Sequence, residues 1–143
     1  MTSTGKESTG GESRHLSVRI DRTVDEVYAY ASDPANLPAW ALGLGSSVEK
    51  SGDRWIADSP MGRVEVAFAP RNALGVLDHD VTLPSGETVH NPVRVIVDGA
   101  GCEVVFTLRR QPGMGDAEFE RDAGTVAADL TRLKELMESG RDS

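Results

Sequence analysis

Three histidines, His15, His79 and His90, are the side chains of this 143-residue sequence best suited to move a proton near neutral pH. In "LDHDVTL", strict strand alternation puts His79 on one face with Leu77, Val81 and Leu83, and Asp78 and Asp80 on the other. His79 therefore points toward a core or cavity. There it can act as a general acid or base, or make one hydrogen bond to a ligand or a neighbouring strand. In "TVHNPVRVIV", Val89, Val93, Val95 and Val97 share one parity, and His90, Arg94 and Ile96 share the other. With the valines inward, His90 and Arg94 are on the outer surface. A bulge at Asn91-Pro92 would instead turn His90 inward, because one extra residue flips the register. No HxH, HExxH or Cys/His pairing is present, so no metal site is expected. There is no P-loop, no GxGxxG and no GxSxG, and no cofactor is expected.

Composition narrows the partners. Hydrophobic residues make up 38% and charged residues 27%, as in a globular domain. The net charge of −8, without a basic cluster, argues against nucleic acid and against an anionic membrane surface. No run is long and apolar enough to insert into a membrane. The polar first 14 residues read as a disordered tail rather than a secretion signal, and residues 139–143 as a second tail. The single cysteine, Cys102, reads as a buried thiol, which fits a cytoplasmic protein.

Positioning these side chains falls to one domain, residues 15–138. "HLSVRID" alternates as a half-buried strand. Thr23 and Glu26 have the spacing of a capping box ahead of an apolar face of Val24, Val27, Tyr28 and Ala31. Asp33-Pro34 ends that helix and starts a short second one that runs to about Trp40. Six strand candidates follow, each closed by Gly, Pro, Asp or Ser, as in an antiparallel meander. Pro92 inside one of them marks an edge, a bulge or a break. The spacing of Phe119, Ala123, Val126, Leu130, Leu133 and Met137 predicts a helix over 116–139, with Gly140 as its cap.

The fold class is thus α+β: a curved antiparallel sheet of six to seven strands around a long C-terminal helix. A sheet gripping one helix leaves a gap, and small-molecule sites favour such gaps. This order, with "HLSVRIDRTVDEVYAYASDPANLPAW" early and "AADLTRLKELME" at the end, resembles the START-like (SRPBCC) superfamily of polyketide cyclase/dehydrase-type, lipid-transfer and Bet v 1-like proteins. The resemblance covers residues 15–138 and implies a helix-grip fold with a cavity for a hydrophobic or amphipathic molecule. It carries no catalytic constellation over to particular residues.

Trp40, Leu42, Trp55, Val66, Phe68, His79, Val81, Val95, Phe106, Ala123, Gly124 and Ala127 are the expected cavity lining. Trp40 either stacks on a flat ligand or anchors the helical pair, and the inward face of the strand bearing Trp55 is ambiguous by parity. The small patch at Gly124 and Ala127 implies close packing on the sheet or room for ligand. Three functions fit: a binder or carrier of a small hydrophobic or aromatic molecule; a cyclase/dehydrase-like enzyme with His79 or His90 moving protons; and a protein-interaction module with a collapsed cavity.

Overall fold

A computed structural model describes residues 12–45 and 47–139. Most of both expected tails, and the Gly140 cap, lie outside the described residues. The first strand, β1 (Ser13–Ile20), starts two residues earlier than expected. It is followed by α1 (Val24–Ala31), a 3-10 turn at Pro34–Asn36, and the single-turn α2 (Leu37–Trp40). The caps are those the spacing predicts. Glu26 N donates to Thr23 Oγ1 at 3.2 Å, and Thr23 N donates to Glu26 Oε1 at 3.1 Å. Asp33 Oδ1 accepts from Ala35 N at 3.1 Å, ahead of Pro34.

Seven further strands follow: β2 (Val48–Ser51), β3 (Arg54–Ser59), β4 (Gly62–Phe68), β5 (His79–Thr82), β6 (Thr88–Asn91), β7 (Val93–Asp98) and β8 (Gly101–Arg109). All pair antiparallel, in a five-stranded sheet β2-β3-β4-β5-β6 and a three-stranded sheet β1-β8-β7. The count exceeds the expected six to seven because Pro92 splits one strand into β6 and β7. Proline has no N–H to donate, although its carbonyl still accepts from Thr107 N at 3.0 Å.

The break does not shift the register. His79 lies opposite Asn91, and Val76 bridges to Arg94, so both strands advance three residues across it. No residue is inserted and the faces do not switch. Val93 and Val95 are buried, whereas His90 and Arg94 are exposed, so the outward placement of both is the one observed. Gly75 is needed here. Its φ is +73°, and a Cβ on it would sit 2.3 Å from the Val95 carbonyl oxygen.

The closing helix α3 (Asp116–Ser139) packs mainly on β1, with further contacts to α2 and β8. Phe119, Ala123, Leu130, Leu133 and Met137 form its buried stripe. The loop after α2 is tied to it: Gly43 N donates to Asp129 Oδ2, and Arg132 Nη1 donates to the Trp40 carbonyl, each at 3.1 Å. No helix among the described residues is long and apolar enough to cross a membrane.

Gly124 and Ala127 are exposed, and nothing lies within 4 Å of where a Gly124 Cβ would be. Both alternatives offered for them, close packing and room for ligand, are therefore corrected. At about 100° per residue, Gly124 points about 140° away from Phe119, and Ala127, at about 80°, falls beyond the edge of the buried stripe. An exposed helical glycine with free space lowers helix stability for no packing gain. Gly124→Ala is expected to raise unfolding free energy by about 1 kcal/mol, read as a higher urea midpoint at unchanged slope.

Candidate functional site

Three buried apolar clusters form the core, and two of them bear on the site. One, under the three-stranded sheet and α3, includes Ile20, Val95, Val104, Leu130 and Leu133. The other, under the five-stranded sheet, holds Ala57, Val64, Val66 and Val81, with Leu44, Trp55 and Phe68 packed on them. The second contains no α3 residue. Between the two clusters lies His79, 6% exposed and the buried polar residue among the described core. Its ring centroid is 5.3 Å from that of Phe68 and 6.2 Å from that of Phe106.

Strand alternation puts His79 there, and the break beside Pro92 sets its hydrogen bonds. Leu77 N donates to the Val93 carbonyl at 2.8 Å. The reciprocal bond of a regular antiparallel pair is replaced by side chains. Leu77 O accepts from His79 Nδ1 at 3.1 Å, and Val93 N donates to Asp78 Oδ1 at 2.9 Å. With its proton on Nδ1, the neutral ring presents Nε2 as an acceptor, 3.5 Å from Asn91 Nδ2. Burial pushes the ring's pKa below the ordinary histidine value; the Leu77 carbonyl only partly offsets this.

The sign of the resulting pH effect is definite. The unfolded chain takes up a proton at this ring near pH 6.5 and the folded chain does so only lower, so stability falls as pH drops below about 6.5. The slope from this one ring is at most about 1.4 kcal/mol per pH unit. Subtracting the unfolding free energy of His79→Gln from that of wild type, between pH 7.5 and 5, is expected to isolate it. The subtraction also removes the nearby charges of Asp78, Asp80 and His90.

The other expected lining residues divide. Val66 and Val81 are buried in the second cluster, and Trp55 and Phe68 pack against it, which gives Trp55 an inward face. Val95 is buried in the first cluster, against which Phe106 and Trp40 pack. Ala123 is buried with Leu108 and Phe119. Leu42 is 41% exposed; the turn after α2 sends it outward while Ala41 and Leu44 turn in, so its lining role is corrected. Trp40 packs as an anchor between α2 and the core, yet its indole Nε1 is buried without a hydrogen-bond partner. Such a donor carries a cost of about 1–3 kcal/mol until something accepts from it.

His90 is not in the site. On the outer face its Nδ1 lies 2.7 Å from Asp80 Oδ1, and Arg94 donates to both oxygens of Asp78 at 2.9 and 2.7 Å. Two features escaped the sequence reading. Asn91 has the parity of the inward valines, so alternation pointed to it. Arg71, in an irregular loop, offered no periodic signal. It lines a cleft of about 60 Å³ with Tyr28, Ser32, Phe68, Ala69 and Leu77.

Comparison with known proteins gives the same frame. The family model described as "Polyketide cyclase / dehydrase and lipid transport" matches residues 13–138. A search of curated proteins finds no match. Solved structures with the same fold include the Aha1 dimer from Colwellia psychrerythraea, at TM-score 0.72 and 12% identity over 89% of this chain and 96% of that one. DynU16, a protein of the dynemicin biosynthetic locus, gives 0.69 and 17% over 90% of this chain and 48% of the other. Norcoclaurine synthase from Thalictrum flavum, solved with a transition-state analogue, gives 0.63 and 14% over 91% and 96%. With eight antiparallel strands among the described residues, short helices after the first and a long closing helix, the chain belongs to the polyketide cyclase/dehydrase and lipid transport family, within the START-like superfamily and its helix-grip fold.

Proposed function

We propose that the protein binds, and carries, a small hydrophobic or amphipathic molecule between the five-stranded sheet and α3. The observation behind this reading is the separation of the two apolar clusters, with one neutral polar side chain, His79, at their seam. A ligand that parts the seam gains roughly 25 cal/mol per Å² of apolar surface removed from water. His79 Nε2 would then accept from a ligand hydroxyl, and the unpartnered Trp40 Nε1 would donate to a ligand oxygen. The buried Cys102 thiol, its pKa raised by burial, suits a reducing compartment such as the cytoplasm.

A cyclase-like reaction is the second reading. It draws on His79 as a neutral base in a dry setting and on the norcoclaurine synthase likeness. His79 meets a backbone carbonyl, two aromatic rings and an amide, none of which titrates to assist it. That favours binding over proton transfer.

Native mass spectrometry on protein purified from its own host, beside His79→Ala, separates the readings. A retained small molecule of constant mass supports carriage. A mass that changes on incubation with wild type but not with the variant supports the enzyme. No retained molecule from any lysate, with no binding of a neutral apolar dye, would overturn both.

A further inference from the structure

The small cleft borders the core, with Tyr28 and Leu77 of the first cluster in its lining. Phe68 and Leu77 both line it, and the same two residues frame His79, one through its ring and one through its carbonyl. The cleft and the seam thus share a wall. At its rim is Arg71. The guanidinium lies over the Tyr28 ring, 5.5 Å from the centroid, and Nη1 donates to Ser32 Oγ at 2.8 Å. The loop bearing it is held in place. Asn72 N donates to the Tyr28 hydroxyl at 2.9 Å, and the Asn72 amide bonds to the Pro70 and Val76 carbonyls.

Arg71 has no carboxylate partner among the described residues, although the chain carries 23 acidic residues against 15 basic ones. Eight other arginines, among them Arg14, Arg22, Arg94 and Arg132, are ion-paired. Arg109 and Arg121 also have no ion pair among the described residues, but neither lines this cleft. One of five guanidinium N–H groups meets Ser32, which leaves the fork open for two oxygens of an anion.

We propose that Arg71 anchors the anionic headgroup, a carboxylate or phosphate, of an amphipathic ligand whose apolar body passes Phe68 toward His79. This rests on the ligand-binding reading above and names the ligand's polar end. Size supports the division. A cleft of about 60 Å³ holds a headgroup, whereas whole ligands need pockets of roughly 300 Å³ or more. The carbonyl end of α1 lies beside the cleft and disfavours anions. The guanidinium bonds Ser32 at that end through Nη1 alone, so its remaining N–H groups are the ones an anion would pair with.

The test is displacement of the neutral dye N-phenyl-1-naphthylamine by twelve-carbon chains below their micelle concentrations: laurate, dodecyl phosphate, dodecanol and dodecyltrimethylammonium. One or both anionic chains are expected to displace the dye at about tenfold lower concentration than dodecanol, equivalent to about 1.4 kcal/mol. Which of the two is preferred tells carboxylate from phosphate. Arg71→Gln is expected to bring both within twofold of dodecanol and leave dodecanol unchanged, which also reports an intact fold. Arg109→Gln is expected to keep the preference. Equal displacement by laurate, dodecyl phosphate and dodecanol in wild type, or a preference that survives Arg71→Gln, would overturn the anchor while the binding site stands. A dye that fails to bind wild type would overturn the binding reading and the anchor with it.

Discussion

Truncation of Phe119 to alanine is expected to lower the unfolding free energy by about 3–5 kcal/mol, the range for a fully buried aromatic. For a chain of this length that is a fall of about 10 °C or more in Tm. Phe119 is fully buried against Leu108 and Ala123, with Leu16, Phe106 and Met114 around them. Two guanidinium groups flank its ring: Arg14 at 4.9 Å and Arg110 at 4.8 Å from the centroid. Both are held by acids of the same helix end. Arg14 makes a fork to Glu120 at 2.9 and 2.7 Å, and Arg110 reaches Asp116 at 2.8 Å. The ring is thus the apolar half of a clamp that fixes the start of α3 on β1 and the segment after β8. The exposed ion pairs alone contribute little. Phe119→Leu keeps much of the volume and is expected to cost about 1–1.5 kcal/mol. Thermal and urea unfolding of the two variants check the order. A loss under 1.5 kcal/mol for the alanine variant would mean that α3 is held from its far end, through Leu133 and Met137.

What the sequence made legible is what is local. The Thr23/Glu26 box and the Asp33-Pro34 junction are decided within three or four residues, and both form as their spacing predicts. Alternation placed Val66, His79, Val81 and Val95 inward because each strand keeps its register to its end. It could not choose between the two faces for His90, since an inserted residue depends on the partner strand. The pairing of Val76 with Arg94 decides that. Gly124 and Ala127 misled because small residues carry no amphipathic signal; the helical wheel turns Gly124 outward and leaves Ala127 at the edge of the stripe, and both are exposed. Leu42 misled for a related reason, as a turn has no period. Arg71 meets Ser32 across 39 positions, and Asp78 meets Arg94 across 16. Such contacts exist only after the sheet has closed. The site's polar parts come from these distant meetings, whereas its apolar walls come from alternation.

Asp78 is where those two levels join, and Asp78→Ala is expected to cost about 2–3 kcal/mol, the scale for charge-assisted bonds whose partners are left unpaired. Its side chain is only 15% exposed. It accepts from Val93 N at the position where Pro92 interrupts the sheet, and from Arg94 Nε and Nη2. Without it the Val93 N–H loses its acceptor, because the Leu77 carbonyl is already taken by His79. Asp78→Asn retains one acceptor and is expected to cost about half as much. Arg94→Ala is expected to cost under about 1 kcal/mol, since the Arg94 guanidinium is half-exposed and water readily replaces it beside the carboxylate. The Arg94 guanidinium holds the Asp78 carboxyl below the usual carboxylate range. Its contribution is therefore complete above the unfolded value near pH 4 and is lost as pH falls through the lower folded value. Amide exchange at Val93 and Leu77 reads the local consequence: both are expected to speed up in Asp78→Ala and to stay near wild type in Arg94→Ala. Equal effects of the two substitutions would place the stability in the ion pair instead of the strand junction. Because His79 follows Asp78 directly and uses the carbonyl that this carboxylate leaves free, loosening the junction is also expected to weaken whatever the His79 seam holds.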